Sequence, residues 1–199
     1  MAILPSHVRT AVRKLIFNGG FERLEQAYIT SVKDPTDFHK DAETIVRKVN
    51  GIPIGTPLPP IVVDEEGVPS NDYHDEIAML ADEFESTHLI LVETFTIALF
   101  HFWEKQCNGW LVVNHYNHAA VMTWLAANGS TPNSNDLQKL QLIVNAKKHG
   151  PGQSANTLYN LDPTLFHGHG APGFVASDKN LIITKPMLDG FFTSVKTSA

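Results

Sequence analysis

The chain has 199 residues, 43% of them hydrophobic, with eleven Phe, four Tyr and three Trp, and a formal net charge of −6. That much apolar material excludes intrinsic disorder and fits one globular domain of moderate size. The single cysteine, Cys107, excludes an intrachain disulfide and a cysteine-based metal cluster.

The start, Met1-Ala-Ile-Leu-Pro5, lacks the charged flank and long apolar run of a signal peptide. Ser6 suits the cap of a first helix running to about Phe17, with Asn18-Gly19-Gly20 as its stop. A second helix, Phe21 to about Val32, places Leu24, Ala27 and Tyr28 on one side. Asp34-Pro35 opens a third, with Phe38, Ala42, Ile45, Val46 and Val49 on one stripe, closing at Asn50-Gly51. Residues 51–69 hold five prolines and three glycines and read as a connector, in which Ile61-Val62-Val63 can add a short strand.

From Ser70 to Asn108 there is neither Gly nor Pro, which predicts one helix ~55 Å long. Ile77, Leu80, Ala81, Phe84, His88, Leu91, Phe95, Ala98, Leu99 and Phe102 recur on it at spacings of three and four. Near Phe95 to Trp103 it turns apolar on nearly all sides, as a central helix or a subunit interface does, and this run is too short to span a bilayer. Another helix is expected from Tyr116 to Ala127, ended by Asn128-Gly129. Ser134 or Asn135 caps the next, with Leu137, Leu140, Ile143 and Val144 inward and a stop at His149-Gly150. Residues 154–166 suggest a short helix or turn, and 167–173 a glycine-rich loop. Phe174-Val175 and Leu181-Ile182-Ile183 flank a polar turn as a small β-hairpin. Lys185-Pro186 opens a last helix carrying Met187, Leu188, Phe191, Phe192 and Val195. The expected fold is mainly α, a helical bundle with a small C-terminal β-hairpin. Its expected parts are an N-terminal helical segment (1–50), a Pro-rich connector (51–69) and the bundle (70–199).

Charge is segregated along the chain. Residues 61–104 hold eleven acids and no Lys or Arg, whereas 105–199 hold seven bases and four acids. The middle of the chain repels phosphate, so any nucleic-acid site must be local and drawn from the flanking segments. The acidic run 64–85 reads as a solvated face or a dock for a basic partner.

The stretch Val144-Asn-Ala-Lys-Lys-His-Gly150 gathers the groups able to do chemistry. Bases in a last turn followed by Gly are an ordinary helix ending. The functional reading adds that His149 titrates near neutral pH and that Lys147 and Lys148 can hold phosphate oxygens. Asn145 lies four residues before His149 and shares its face. Together with Thr96-Ile-Ala-Leu-Phe-His-Phe-Trp-Glu-Lys-Gln-Cys107 on the long helix, this ending resembles the HEPN superfamily. Many of those small, often dimeric, helical bundles are metal-independent endoribonucleases of toxin–antitoxin and phage-defence systems. Their pattern is an Arg, commonly followed by a polar residue, then a His four to six residues on. Asn145 matches the polar residue and His149 the histidine; Val144 stands where the arginine should be. The resemblance covers residues 72–197 and implies RNA as partner, a homodimer joined through the apolar 95–103 surface, and an antitoxin or other protein partner. It implies no cofactor. It also implies attack of a ribose 2′-hydroxyl on its phosphate, with His149 as base or acid, Lys147 or Lys148 against the oxyanion, and Asn145 orienting substrate. The absent arginine implies weakened catalysis.

Two rival readings come from other residues. Glu85-x-x-His88, with Glu93, His101 and Glu104 along the same helix, has one-face spacing suited to a metal-binding bundle, although no second Glu-x-x-His exists. His115 with His118, and His167 with His169, are further pairs. The other is a non-enzymatic, dimeric helical module whose acidic face recruits a partner. A soluble cytoplasmic protein with no membrane segment is expected in every case.

Overall fold

Long runs free of Gly and Pro become helices, and the punctuated stretches between them become turns. The computed structural model describes residues 6–34, 37–67 and 69–199, and the side chains of these apart from 6–10, 70 and 71. The helices are α1 (Ser6–Ser31), α2 (Phe38–Val49), α3 (Tyr73–Leu111), α4 (His118–Ala127), α5 (Ser134–His149), α6 (Gln153–Leu161) and α7 (Lys185–Thr197). Two strands, β1 (Val62–Val63) and β2 (Pro69–Asn71), pair antiparallel, and 3-10 turns span Pro163–Leu165 and Asp178–Asn180. The fold is mainly α. The chain divides into two compact units, Met1–Ser31 with Val92–Ala199, and Val32–Leu91. The Pro-rich run 51–69 lies inside the second unit, and α3 contributes a half to each.

In the Val32–Leu91 unit, Ala42 and Val46 of α2 meet Ile77 of α3 in a small core. Leu58, Tyr73, Leu80, Ala81 and Phe84 close around it. Arg47 is 8% exposed, pairs with Glu43 at 2.7 Å and donates through Nη1 to the Pro53 carbonyl at 3.2 Å. A buried guanidinium is thus satisfied, and the first residues after α2 are held to it. The expected helix opening at Pro35 lies outside the described residues.

In the other unit α1 runs straight through Asn18-Gly19-Gly20, where the sequence predicts a stop. Gly20 is there for close approach. A Cβ on it would stand 2.7 Å from Cε2 of Phe102, whose ring is hemmed by Phe17 (5.3 Å) and Phe21 (6.2 Å). Each helical glycine costs about 1 kcal/mol relative to alanine, and burying Phe17 and Phe21 offsets that by about 1.5–3 kcal/mol apiece. Phe17, Phe21 and Tyr28 are all at most 3% exposed.

Much of the apolar surface of α3 near 95–103 is buried within the chain. Leu99 and Trp103 have no exposed surface, Phe95 packs edge-on to Tyr28 at 5.6 Å, and Phe100 packs against Tyr116 at 5.4 Å. Tyr28 also stacks on Phe192 of α7 at 4.7 Å and donates to Asp189 at 2.5 Å. Burial first, then the Asp189 carboxylate, pushes its phenol well above the usual range.

α3 ends unusually. Val112 adopts φ 57°, and the Val113 amide donates back to the Asn108 carbonyl at 3.1 Å. This left-handed closure normally falls to glycine. Further on, the expected C-terminal hairpin does not form. Ser177 and Asn180 instead cap each other across a 3-10 turn, and Asn180 also donates to the Val175 carbonyl at 2.9 Å. Leu181 bridges Phe166 rather than Val175, and the Ile182 amide donates to Leu165 at 2.7 Å. Val175, 63% exposed, has no apolar surface to pair over.

Candidate functional site

The N-terminus of α5 is fixed by Asn133, whose side chain accepts from the Asp136 amide at 3.3 Å and donates to its carboxylate at 2.6 Å. Its inner face, Leu137, Leu140, Ile143 and Val144, is fully buried. Gly150 at φ 69° turns the chain away at the other end. The sequence-selected residues are split by this geometry. Lys148 and His149 are exposed, and Asn145 is half-buried one turn before His149. Lys147 is drawn aside: its ammonium meets the Glu93 carboxylate of α3 at 2.8 Å and is only 15% exposed.

An exposed imidazole with no hydrogen-bond partner among the described residues is free to exchange a proton with a bound group. The surrounding field is mixed. The carbonyl end of a helix carries partial negative charge, and a carboxylate oxygen of Asp178 lies 3.5 Å from where a Cβ on Gly150 would sit. Lys148 is the cation of the predicted set that remains free to offset both. Position 144 has no exposed surface. A guanidinium there would be taken out of water, at a cost of several kcal/mol. An arginine at 144 is thus one that this helix orientation could not present to solvent.

Three further histidines are engaged separately. His101 meets Glu104 at 3.2 Å, His88 packs edge-on to Phe38 at 5.2 Å, and His169 Nδ1 lies 3.0 Å from the Phe166 carbonyl. Among the described residues no group of three His, Cys, Asp or Glu side chains converges as a metal would require. Cys107 is buried, and that burial pushes its thiol far above the reactive range.

Two arrangements escaped the sequence reading. In the first, the Trp103 indole donates to the Tyr116 hydroxyl (3.2 Å), which meets His118 Nδ1 (3.3 Å), while His118 Nε2 meets the Ser134 hydroxyl (3.0 Å). Burial lowers the pKa of His118, favouring the neutral ring. The only signal was the close spacing of Tyr116 and His118. In the second, Trp110 and Trp124 stack at 5.3 Å and 17° and wall a cavity of about 310 Å³ beside Arg13 and Lys14. The sequence held no local signal for it, because its parts come from α1, α3, α4 and the end of α7.

No family model matches the chain, and no curated protein or solved structure shows significant similarity to it. Among the described residues no helix is long and apolar enough to cross a membrane.

Proposed function

We propose that this chain is an RNA-directed, HEPN-like helical protein that engages a phosphodiester at the tip of α5. The observation that carries this reading is the joint exposure of Lys148 and His149, with Asn145 one turn behind. Lys148 supplies the charge that attracts phosphate, His149 exchanges the proton of the attacking 2′-hydroxyl or the leaving oxygen, and Asn145 orients the sugar–phosphate. Two features weaken catalysis. Val144 is buried where the family's arginine would stand, and Lys147 is neutralised by Glu93. A single ammonium lacks the bidentate fork that holds a phosphate in one geometry. Binding is accordingly weak and salt-sensitive, with slow cleavage.

The test is cleavage of a single-stranded RNA in EDTA by the wild type, His149→Ala and Lys148→Ala. His149→Ala is expected to abolish cleavage with binding retained, and Lys148→Ala to weaken binding about threefold to tenfold, as for one lost phosphate contact. Equal cleavage by wild type and His149→Ala removes His149 from the mechanism.

A second reading, a non-enzymatic interaction module, is favoured by the outer face of α1. Leu15 and Ile16 are 73% and 59% exposed there. Adjacent exposed aliphatic side chains on one helix are typical of a surface covered by another protein. Sedimentation of the wild type against Leu15→Glu distinguishes this reading, since self-association lost in the variant supports it.

A further inference from the structure

The cavity walled by the two indoles has no part in the α5 reading. Part of its wall is apolar: Phe17 is 1% exposed, Leu125 2% and Trp110 9%. Arg13 and Lys14 stand at the mouth, and neither has an ion-pair partner among the described residues. Asn128 donates from Nδ2 to the Trp124 carbonyl at 2.7 Å, which leaves Oδ1 as an acceptor at the rim, and Thr131 adds a hydroxyl.

Each part narrows the ligand. Unpaired cations select an anion. A bare inorganic anion would leave the indole wall unused, because stacking needs a flat partner. A lipid tail would leave both cations and the rim acceptor unused. A duplex does not enter a concavity of about 310 Å³, which is at the small end of pockets that enclose small molecules. A planar heteroaromatic ring carrying a phosphate uses both the indoles and the cations.

We propose that this cavity is a nucleotide site, in which a nucleobase lies against the Trp110–Trp124 pair and its phosphate meets Arg13 and Lys14. The same chemistry is offered by a free mononucleotide and by one residue of a single strand. The site stands independently of the α5 tip.

The test uses the quenching of tryptophan fluorescence in the full chain by adenosine monophosphate, adenosine, inorganic phosphate and a short oligoadenylate. Adenosine monophosphate is expected to quench saturably, adenosine more weakly, and phosphate not at all. The double variant Arg13→Ala/Lys14→Ala should weaken adenosine monophosphate about tenfold and leave adenosine nearly unchanged. Trp124→Leu should weaken both about tenfold, as for a lost stacking partner. Oligoadenylate binding tenfold tighter than the monophosphate identifies the ligand as a strand, and equal affinities identify it as a free nucleotide. The proposal is overturned if neither nucleotide quenches saturably, or if the Arg13/Lys14 variant binds adenosine monophosphate as tightly as wild type. Should Trp124→Leu lose its helical dichroism, the Arg13/Lys14 variant decides alone, since both side chains lie at the pocket mouth.

Discussion

The two halves of α3 are one continuous helix with opposite fates. In residues 73–91 the apolar positions form a stripe, and Met79, Leu89 and Ile90 off that stripe are 73%, 52% and 66% exposed. The acids Asp75, Glu76, Asp82, Glu83 and Glu85 share this half with the small core of Ala42, Val46 and Ile77. In residues 92–111 the helix buries a broader face, with Leu99 and Trp103 at 0% exposure and Cys107 at 1%. Periodicity alone reports which face is apolar. Whether a helix has one neighbour or several is reported by how far apolarity extends around it.

The sharpest way to break this comparison is a pair of truncations. Trp103→Ala should cost about 3–5 kcal/mol, the range for deleting a fully enclosed aromatic. Ile77→Ala, in the thinner cluster, should cost about 2 kcal/mol, the lower end for aliphatic truncation. Urea denaturation of both variants checks this, and equal losses would mean that the halves are equally enclosed.

A smaller effect with the opposite sign is expected where the second half ends. Val112 is 83% exposed at φ 57°, so it pays backbone strain with little burial to offset it. Val112→Gly should stabilise by about 0.5–1 kcal/mol, the relief of a left-handed β-branched residue less the added chain entropy of glycine. A lower midpoint in thermal unfolding would show that the valine is not strained.

The smallest effect concerns His118, hydrogen-bonded to Tyr116 and thereby linked to Trp103. Burial lowers its folded pKa below the ordinary value of 6.5. The unfolded chain therefore binds more protons just below that value, and stability falls as pH drops through 6.5 toward the folded pKa. His118→Gln should flatten this slope below about pH 6.5. Asp162, held low chiefly by its hydrogen bond from Lys139 at 2.7 Å, acts only below its ordinary value of 3.8, so the two contributions separate by pH. An unchanged slope in the variant would exclude His118 as its source.

These comparisons also mark what could be read from the chain. α3 was legible because its boundaries are local: nothing from Ser70 to Asn108 interrupts it. The ending of α5 was legible for the same reason, in Lys147-Lys148-His149-Gly150. Gly19-Gly20 was misread as a stop because what decides it, the ring of Phe102, lies over eighty residues away. The hairpin failed because Ser177 and Asn180 satisfy each other locally before Val175 can find a partner. At the site, the exposure of His149 followed from its position in a last turn. The capture of Lys147 did not, because Glu93 sits on another helix. The indole cavity was invisible for a related reason, with cations and walls drawn from opposite ends of the chain.

The buried guanidinium of Arg47 has a consequence for where the backbone can be cut. Its bond to the Pro53 carbonyl is joined by the Ile52 amide donating to Arg47 at 2.8 Å and the Thr56 hydroxyl donating to Pro53 at 2.7 Å. Ile52 to Thr56, rich in loop residues, is therefore clamped against α2 and resists threading into a protease cleft. Glu65 and Glu66, fully presented in the turn between β1 and β2, offer an acid-specific protease its opening. A nick there leaves one fragment carrying α1 and α2 and another carrying α3 to α7.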